Sequence, residues 1–485
     1  MEGGVKLKVA LREKVALEVK EIESPHQPFD VYYFFKDEPY SFILDSGMDP
    51  EKLGRYSFVG ARPFAVFSSK GKNINIWHRE KGSWEERDNP FNSLKNFLNT
   101  FHMVSSPLPQ APPFNGGAVG YFGYDLGEEI EDLPDNSIDD LQLPDCYLAF
   151  YEKVYAHDHL FNKTFLCALG LSDQEEKAKA LAKKNLEEFS QEINSIPLDN
   201  PQKKYLNFEK NSNLKVKSNF SKESYCRIVE KAKDYIKAGD IYQVNLSQRF
   251  EAPLYISPLE LYIRLRNINP APFASFLNFE EVVVASASPE RFMRLSGKKV
   301  ETRPIKGTRP RSSDPVRDNE LKEELLNSEK DRAELVMIID LERNDLGRAC
   351  LPGTVKVPEL ITLETYATVF HLVSTVEGVL PPDRGVVDLL EASFPGGSIT
   401  GAPKIRAMEI IDELEGLKRS LYTGSIGYIS LNGDADLNIV IRTFIIKNNR
   451  AYFQVGGGIV ADSEPEKEYQ ETLDKARALL KSLGL

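Results

Sequence analysis

Three strand-like runs joined by tight turns constrain the fold of this chain most. The apolar and β-branched runs cover residues 425–431, 437–446 and 451–455, and Asn432-Gly433 and Asn448-Asn449 separate them. Asn-Gly and Asn-Asn pairs tolerate the left-handed backbone that two-residue hairpin turns require. The pattern therefore predicts an antiparallel meander, and with it sheet structure in the C-terminal half.

Composition is typical of a globular protein with a large core. The chain has 485 residues, 41% of them hydrophobic and 28% charged, and that length suggests about two to three domains. A formal net charge of -12 disfavours nucleic acid and anionic membranes as partners, because both attract basic surfaces. A small anionic substrate remains compatible with this charge if its site is locally cationic or holds a metal.

Cysteine usage and the N-terminal segment predict a cytoplasmic protein. Cys146, Cys167, Cys226 and Cys350 form no C-x-x-C pair and have no zinc-ligand spacing, so we expect free thiols in a reducing compartment. Residues 1–20 are charged throughout and lack the apolar segment of a signal peptide. No run approaches the roughly 20 apolar residues that span a bilayer.

The chain divides into three regions by composition. Residues 1–170 have the pattern of mixed β structure, residues 171–220 that of an exposed helix followed by a polar connector, and residues 221–485 carry the motifs described below. Ser221 precedes apolar residues at helical spacing and is a plausible N-cap. Further helices are predicted over residues 318–340 and 465–483.

Lys306 is a candidate nucleophile. It lies in Pro304-Ile305-Lys306-Gly307-Thr308, with Arg303 and Arg309 on either side. Gly307 allows a ligand to approach the backbone closely, and Thr308 offers a hydroxyl and an N–H to an anion. Nearby cationic charge and partial burial would lower the pKa of the amine. The alternative from the residues alone is an ordinary solvated lysine.

Two pairs of acidic residues could hold a divalent cation. Glu468 and Glu471 are three residues apart on the final predicted helix, and Asp331 and Glu334 have the same spacing on another, so each pair shares a face. An oxygen-rich site of this kind suits Mg²⁺. The alternative is that these acids lie on solvated helix faces.

Three further features are candidates for contacts with an anion or for proton transfer. Arg442 lies in an apolar run and needs either a bound carboxylate or an internal acidic partner. Gly456–Gly458 could present consecutive N–H groups to an anion or form a plain turn. Glu290 follows an apolar strand and could transfer protons near Lys306, or pair with Arg291 or Arg294.

These motifs together resemble the chorismate-utilising enzymes, which include anthranilate, aminodeoxychorismate, isochorismate and salicylate synthases. The resemblance is strong over residues 220–485 and looser before them. It implies an α+β fold in which two large antiparallel sheets pack face to face with helices outside. The motifs occur in family order: Ser-Pro-Glu-Arg-Phe (288–292), Pro-Ile-Lys-Gly-Thr (304–308), Asp-Leu-Glu-Arg-Asn-Asp-Leu (340–346), Gly-Ala-Pro-Lys (401–404), Ile-Val-Ile-Arg (439–442), Gly-Gly-Gly-Ile-Val (456–460) and Glu-x-x-Glu-Thr (468–472).

The resemblance implies roles for individual residues. Lys306 and Glu290 are expected to be catalytic, and Glu334, Glu468 and Glu471 are expected to bind Mg²⁺, with Asp331 supporting them. The expected contacts of chorismate are Gly307, Thr308, His371, Lys404, Tyr422, Arg442, Gly456, Gly457 and Gly458. Ser46, Pro272, Phe273 and Ala274 match positions that hold tryptophan in related enzymes. Asp45 stands where tryptophan-sensitive relatives often have Glu, which leaves tryptophan binding open.

Lysine at position 306 is the mark, within this family, of aminodeoxychorismate synthase component I. The implied activity is a transferase reaction that converts chorismate and ammonia to 4-amino-4-deoxychorismate for p-aminobenzoate and folate synthesis. A separate glutamine amidotransferase subunit is expected to supply the ammonia, because the chain has no G-x-C-x-G nucleophile motif. The alternatives are an anthranilate, isochorismate or salicylate synthase, or a catalytically silent subunit that senses tryptophan.

Overall fold

The computed structural model describes residues 12–46, 48–105, 110–198, 214–365 and 369–485. No helix in these ranges is both long and apolar enough to cross a membrane. The helices are α1 (Pro28–Phe35), α2 (Pro90–Leu98), α3 (Glu175–Asn194), α4 (Lys222–Ala238), α5 (Pro258–Ile268), α6 (Pro315–Leu326), α7 (Glu329–Ala349), α8 (Val386–Ser393), α9 (Lys404–Glu415) and α10 (Pro465–Ser482).

The strands of the described ranges are numbered in chain order. They are β1 (Glu13–Ile22), β2 (Ser41–Asp45), β3 (Tyr56–Gly60), β4 (Ala65–Lys70), β5 (Asn73–His78), β6 (Gly82–Arg87), β7 (Phe101–Met103), β8 (Gly117–Phe122), β9 (Cys146–Tyr151), β10 (Lys153–Asp158), β11 (Lys163–Ser172), β12 (Lys217–Ser218), β13 (Gln243–Pro253), β14 (Phe273–Asn278), β15 (Val283–Ser288), β16 (Arg291–Ser296), β17 (Lys299–Arg303), β18 (Ile305–Pro310), β19 (Lys356–Thr365), β20 (Val369–Val379), β21 (Gly401–Ala402), β22 (Ser425–Ser430), β23 (Ala435–Asn438), β24 (Thr443–Lys447) and β25 (Arg450–Ile459).

Two large, mostly antiparallel sheets form the body of the protein, which confirms the expected α+β class. The first sheet has the order β12-β13-β25-β24-β15-β14-β2-β3-β10-β11-β1-β7, with β21 beside β13. The second has the order β18-β20-β17-β16-β23-β22-β8-β9-β4-β5-β6, with β19 beside β20. Only β1 and β7 pair in parallel among the described strands.

Aromatic side chains join the two sheets face to face. Phe42 of the first sheet lies 4.5 Å from Tyr151 of the second, measured between ring centroids, and Phe58 lies 5.4 Å from Tyr428. All four rings are buried, and tilted or edge-on pairs of this kind each contribute about 0.5–1.5 kcal/mol beyond their area. Helix α3 lies on the outside, where it buries only the face formed by Ala178, Ala182, Phe189 and Ile193.

Strands from both ends of the chain share the sheets. Residues 41–45 pair with residues 274–278 in the first sheet, and residues 117–122 pair with residues 425–430 in the second. The compositional regions 1–170 and 221–485 are therefore joined by main-chain hydrogen bonds. Of the intervening region, α3 and β12 belong to this body, and residues 199–213 lie outside the described ranges.

The predicted meander is wrong in its second strand. Residues 437–446 form two strands, β23 in the second sheet and β24 in the first. The chain crosses between the sheets over residues 439–442, and Arg442 adopts a positive φ of 53°. Both pieces are apolar because both are buried, so the residue pattern alone does not reveal the crossing.

The helix predicted over residues 318–340 is two helices, α6 and α7. The break falls at Asn327-Ser328, where the Ser328 hydroxyl accepts the backbone N–H of Asp331 at 3.3 Å and begins α7. The prediction for α4 is confirmed: Ser221 caps its start, and Gly239, at a φ of 85°, ends it. Gly456–Gly458 form part of β25 rather than a turn after the strand.

Candidate active site

Lys306 lies on β18, at the end of the second sheet, and is partly buried. Its Nζ donates to the Ser398 carbonyl oxygen at 3.2 Å. Burial lowers the pKa of the amine, although the carboxylates of Glu334, Glu290 and Glu471 oppose that change. The lysine is therefore more often neutral than a solvated one, as a nucleophilic amine requires.

Glu290 lies between β15 and β16 and is only 7% exposed. The Ser398 hydroxyl donates to its Oε1 at 2.9 Å. Burial raises the pKa of this carboxyl, while the charges of Lys306 and Arg442 and the hydrogen bond from Ser398 partly counter the rise. The alternative pairing with Arg291 is wrong, because Arg291 bonds to Asp436 at 2.9 Å and to Glu301 at 2.7 Å.

The arginines beside Lys306 do not act as expected from the sequence. Arg303 forms ion pairs with Glu364 at 2.8 Å and Glu359 at 3.3 Å, and Arg309 pairs with Glu324 at 2.7 Å and with Asp331 at 3.3 Å. Acidic partners thus neutralise both charges. The lowered pKa of the lysine comes first from burial and not from these neighbours.

Arg442 carries a partly buried guanidinium at the crossing between the sheets. Within the described ranges its side chain makes no hydrogen bond or ion pair, so the alternative of an internal Arg–Asp pair is wrong for these residues. Burial lowers the pKa of the guanidinium, and Glu290 is the acidic group whose charge opposes this. A buried cation without a partner is costly, and an anionic ligand would offset that cost.

The turn after Lys306 is built around Gly307. Its φ is 76°, and a Cβ atom there would lie 2.9 Å from the Asp331 side chain, so a larger residue would be strained. The Thr308 hydroxyl lies 2.8 Å from Nδ1 of His371 on β20. Burial lowers the pKa of His371 to about 4, which makes the ring neutral at pH 7.

Glu468 and Glu471 converge over β25. A Cβ atom placed on Gly457 would lie 3.3 Å from Oε1 of Glu471 and 3.5 Å from Oε2 of Glu468, so glycine makes room for both carboxylates. Lys475 pairs with Glu471 at 2.7 Å and donates to the Gly456 carbonyl at 2.8 Å. A lysine thereby supplies positive charge at the two acids.

Glu334 completes the acidic cluster, defined here as Glu334, Glu468 and Glu471. Burial raises the pKa of Glu334, and the charge of Glu471 adds to the rise. Burial also raises the pKa of Glu468. At Glu471 the opposing effects of Lys475, Lys330 and Lys306 together exceed that of burial, and the pKa is lowered. An all-carboxylate donor set fits Mg²⁺ in chemistry. Across the described part of the chain, however, no three acidic, histidine or cysteine side chains are close enough to hold a metal ion.

Lys404 and Tyr422 have protein partners of their own. Nζ of Lys404 donates to Asp345 Oδ2 at 2.5 Å and to the Ser393 carbonyl at 2.9 Å. Glu342 lies beside this pair, and burial raises its pKa to about 8. The Tyr422 ring faces the Arg419 guanidinium at 5.6 Å, and burial raises the pKa of its hydroxyl.

Three site residues were not singled out from the sequence. Ser398 contacts both Lys306 and Glu290, and Asn245 Nδ2 donates to the same Ser398 carbonyl at 3.1 Å. Gln243 is fully buried, and neither polar atom of its side-chain amide has a hydrogen-bond partner among the described residues. It sits beside Gly458, where a Cβ atom would lie 2.5 Å from Gln243 Nε2. For Ser398, the local sequence Gly396-Gly397-Ser398 predicted only a loop before α9.

A cavity of about 220 Å³, here called the Ser46 cavity, is lined by the four residues expected to hold tryptophan. The Ser46 hydroxyl donates to the carbonyl oxygens of Tyr56 at 2.6 Å and Pro272 at 3.2 Å. Phe273 and Ala274, which begin β14, also line the cavity. Asp45 pairs with Arg266 at 2.7 Å and accepts from the Tyr262 hydroxyl at 3.0 Å, so the acid before Ser46 is already satisfied.

Fold and site together define the class of this protein. The crystal structure of anthranilate synthase component I from Streptococcus pneumoniae TIGR4 matches it with a TM-score of 0.76 and 34% sequence identity, over 88% of this chain and 92% of that one. The family model described as chorismate binding enzyme matches residues 41–481. The chain belongs to that family.

Relatives with two different names are about equally similar to it. Anthranilate synthase component 1 of Acetivibrio thermocellus is 43% identical over 459 residues, which cover 94% of this chain and 92% of the relative. Aminodeoxychorismate synthase component 1 of Escherichia coli (strain K12) is 41% identical over 445 residues, covering 92% and 93% respectively. Overall similarity therefore establishes a chorismate-utilising enzyme and does not choose between these activities.

Proposed function

We propose that this enzyme converts chorismate and ammonia to 4-amino-4-deoxychorismate, the activity of an aminodeoxychorismate synthase component I. The observation that carries the proposal is the pair formed by Lys306 and Glu290. A partly buried amine with a lowered pKa and a buried carboxyl with a raised pKa both contact Ser398. That is one nucleophile and one acid, held together.

The proposed reaction has two displacements. The neutral Lys306 amine attacks ring C2, the allylic double bond shifts, and the C4–O bond breaks. Glu290 gives its proton to the departing oxygen, which leaves as water. Ammonia then attacks C4, the double bond shifts back, and the C2–N bond to the lysine breaks. The two shifts restore the original double-bond positions and release Lys306 as the neutral amine. Glu290 regains its proton from the ammonium group formed at C4, so both residues are regenerated.

The cationic and hydrogen-bond-donor groups near Lys306 would bind the substrate's carboxylates. The guanidinium of Arg442, which bonds to no other described residue, offers a fork of N–H donors suited to a carboxylate. The Thr308 hydroxyl can donate, and the backbone of β25 at Gly456–Gly458 extends beyond Phe453, where its pairing with β24 ends.

We further propose that Mg²⁺ binds to the acidic cluster. Glu334, Glu468 and Glu471 would hold it, which requires their side chains to come closer together than they lie here and Lys475 to leave Glu471, with Asp331 near Glu334. When bound, the cation neutralises a substrate carboxylate and withdraws electron density from the ring. Its positive charge would also offset the repulsion between Glu468 and Glu471, as the charge of Lys475 does here.

A separate glutaminase subunit is the proposed source of ammonia. None of the four cysteines is suited to hydrolyse glutamine, since burial raises the pKa of each thiol, that of Cys350 to about 11. A catalytic cysteine needs the opposite change. The relatives are named as first components, which agrees with a second chain.

The test is a product assay with purified protein, chorismate, Mg²⁺ and a high concentration of ammonium salt. We expect 4-amino-4-deoxychorismate by chromatography, without partner protein, and loss of turnover with excess chelator that added Mg²⁺ restores. Anthranilate with released pyruvate would instead assign the activity of the other group of relatives. Isochorismate or salicylate would mean that water is the nucleophile, and no consumption of chorismate would leave a silent binding subunit.

Tryptophan is the proposed ligand of the Ser46 cavity. The aromatic residues that line it are Tyr56, Phe58, Phe273 and Tyr428, and Arg294, which also lines it, can meet a carboxylate. Calorimetric titration should give one site per chain for tryptophan and weaker binding of phenylalanine. Ala274→Leu, which fills the cavity, should abolish the heat of binding. Equal binding by the variant would place tryptophan elsewhere, and no heat with the native protein would refute the proposal.

A further inference from the structure

Ser398 touches both groups of the proposed reaction. It is 6% exposed and lies in a short 3₁₀ turn, Gly397–Ile399, between α8 and β21. Its carbonyl oxygen accepts the Lys306 amine at 3.2 Å, and its hydroxyl donates to Glu290 Oε1 at 2.9 Å. The two partners are 92 and 108 residues away in sequence, so only the tertiary fold brings the three together.

The turn that carries Ser398 is held from several sides. Asn245 donates from its side chain to the Ser398 carbonyl at 3.1 Å and from its backbone to the Thr400 carbonyl at 2.8 Å. Arg419 donates to the Ile399 carbonyl at 3.2 Å and is itself fixed by a buried ion pair with Glu415 at 2.7 Å. Supporting contacts of this kind fix a site to within a fraction of an ångström.

The two contacts have different chemical consequences. A carbonyl oxygen can only accept, so it takes one N–H of Lys306 and leaves the nitrogen lone pair of the neutral amine to face another direction. The serine hydroxyl donates to one oxygen of Glu290, which leaves the other oxygen to carry the transferable proton. Bonding to the ionised carboxylate also moderates the rise that burial causes in the pKa of Glu290.

We infer that Ser398 is a positioning residue, which fixes the direction of the Lys306 amine through its carbonyl and the protonated oxygen of Glu290 through its hydroxyl. The inference rests on the proposed roles of Lys306 and Glu290. Ser398 itself exchanges no proton and forms no bond with substrate. Its contribution is the fixed geometry between the nucleophile and the acid.

The hydroxyl can be tested without disturbing the backbone. Ser398→Ala should slow formation of the chorismate adduct on Lys306 by roughly tenfold to a hundredfold, the effect expected of a hydrogen bond to a charged group. Ser398→Thr, which keeps a hydroxyl, should recover most of the rate. The matched control is Ser425→Ala, since Ser425 is also buried and its hydroxyl has no hydrogen-bond partner in the part of the chain that the structure describes. If the alanine variant does not fold, Ser398→Cys replaces it.

A double-mutant cycle separates positioning from general structural damage. In a Glu290→Gln background, Ser398→Ala should cause almost no further loss, because the amide cannot deliver the proton that the serine orients. The pH profile gives a second measure: without the hydroxyl the pKa of Glu290 rises, so the limb of the adduct-formation profile whose midpoint is set by Glu290 should move to higher pH. Full additivity, an unmoved limb or a fully active Ser398→Ala would overturn the inference.

These results are distinguishable from failure of the proposed function. If native protein forms no adduct and Lys306→Ala stays active, the covalent role of the lysine is wrong whatever Ser398 does. If the native adduct forms and only the Ser398 variants behave as native, the positioning role alone is wrong.

Discussion

Replacing Lys306 by alanine should reduce amination of chorismate roughly a thousandfold or more, the scale on which enzymes lose rate when a covalent nucleophile is removed. The reason is that ammonia would have to displace the hydroxyl directly, without the intermediate that divides the reaction. The variant should fold normally, because alanine removes a buried amine whose pKa is already lowered. Steady-state rates and thermal unfolding measure the two effects separately.

The covalent step can be observed directly. Intact-protein mass spectrometry of native enzyme with chorismate and Mg²⁺, and no ammonia, should show the added mass of chorismate less water, and peptide mapping should place it on Lys306. Its formation should follow a bell-shaped pH profile, rising as the amine loses its proton and falling as Glu290 loses its own. At an unperturbed pKa of about 10.4, only about one amine in a few thousand would be neutral at pH 7.

Lys231→Ala is a suitable control, since Lys231 is an exposed lysine on α4. It should change neither the rate nor the adduct. If Lys306→Ala made the same product at the native rate, the lysine would not be the nucleophile. The similarity to aminodeoxychorismate synthases would then lose its main local support.

How much of this site could be read from the sequence depends on the range of the contacts. Lys306 and Glu290 were found from local signals, a Gly-Thr turn and a strand end. Ser398 carries no such signal, because its importance lies in two partners about a hundred residues away. The neutralised charges of Arg303 and Arg309 are also invisible in the local sequence, because their acidic partners lie on other elements, 15 to 61 residues away.

The fold shows the same limit. Two sheets were implied by the family resemblance, and the hairpin turns agreed with it. The exchange of strands between sheets was not visible, because residues 437–446 are apolar throughout whether they serve one sheet or two. The Asn327-Ser328 break was likewise hidden within apolar residues at helical spacing. Burial determines which positions are apolar. Tertiary packing determines which strand each segment pairs with and where a helix is interrupted.

Replacing Arg442 by methionine should have opposite effects on activity and stability. The guanidinium is partly buried and has no acidic partner in the described ranges, so the free protein pays for its desolvation without compensation. Methionine should therefore leave the free energy of unfolding unchanged or raise it by about 1 kcal/mol. The value of kcat/KM for chorismate should fall roughly a hundredfold or more, because a bidentate, charge-assisted contact with a carboxylate is lost.

The matched control is Arg450→Met on β25, where the arginine side chain is 37% exposed and pairs with Glu251 at 3.0 Å. That change should have little effect on kcat/KM and should lower the free energy of unfolding by no more than about 1 kcal/mol. The kcat/KM of Arg442→Lys should lie between those of the native protein and the methionine variant, because lysine keeps the charge but lacks the two-pronged guanidinium. A methionine variant at position 442 that lost stability and kept its activity would show that Arg442 serves the fold, and that the substrate's carboxylates bind to other donors.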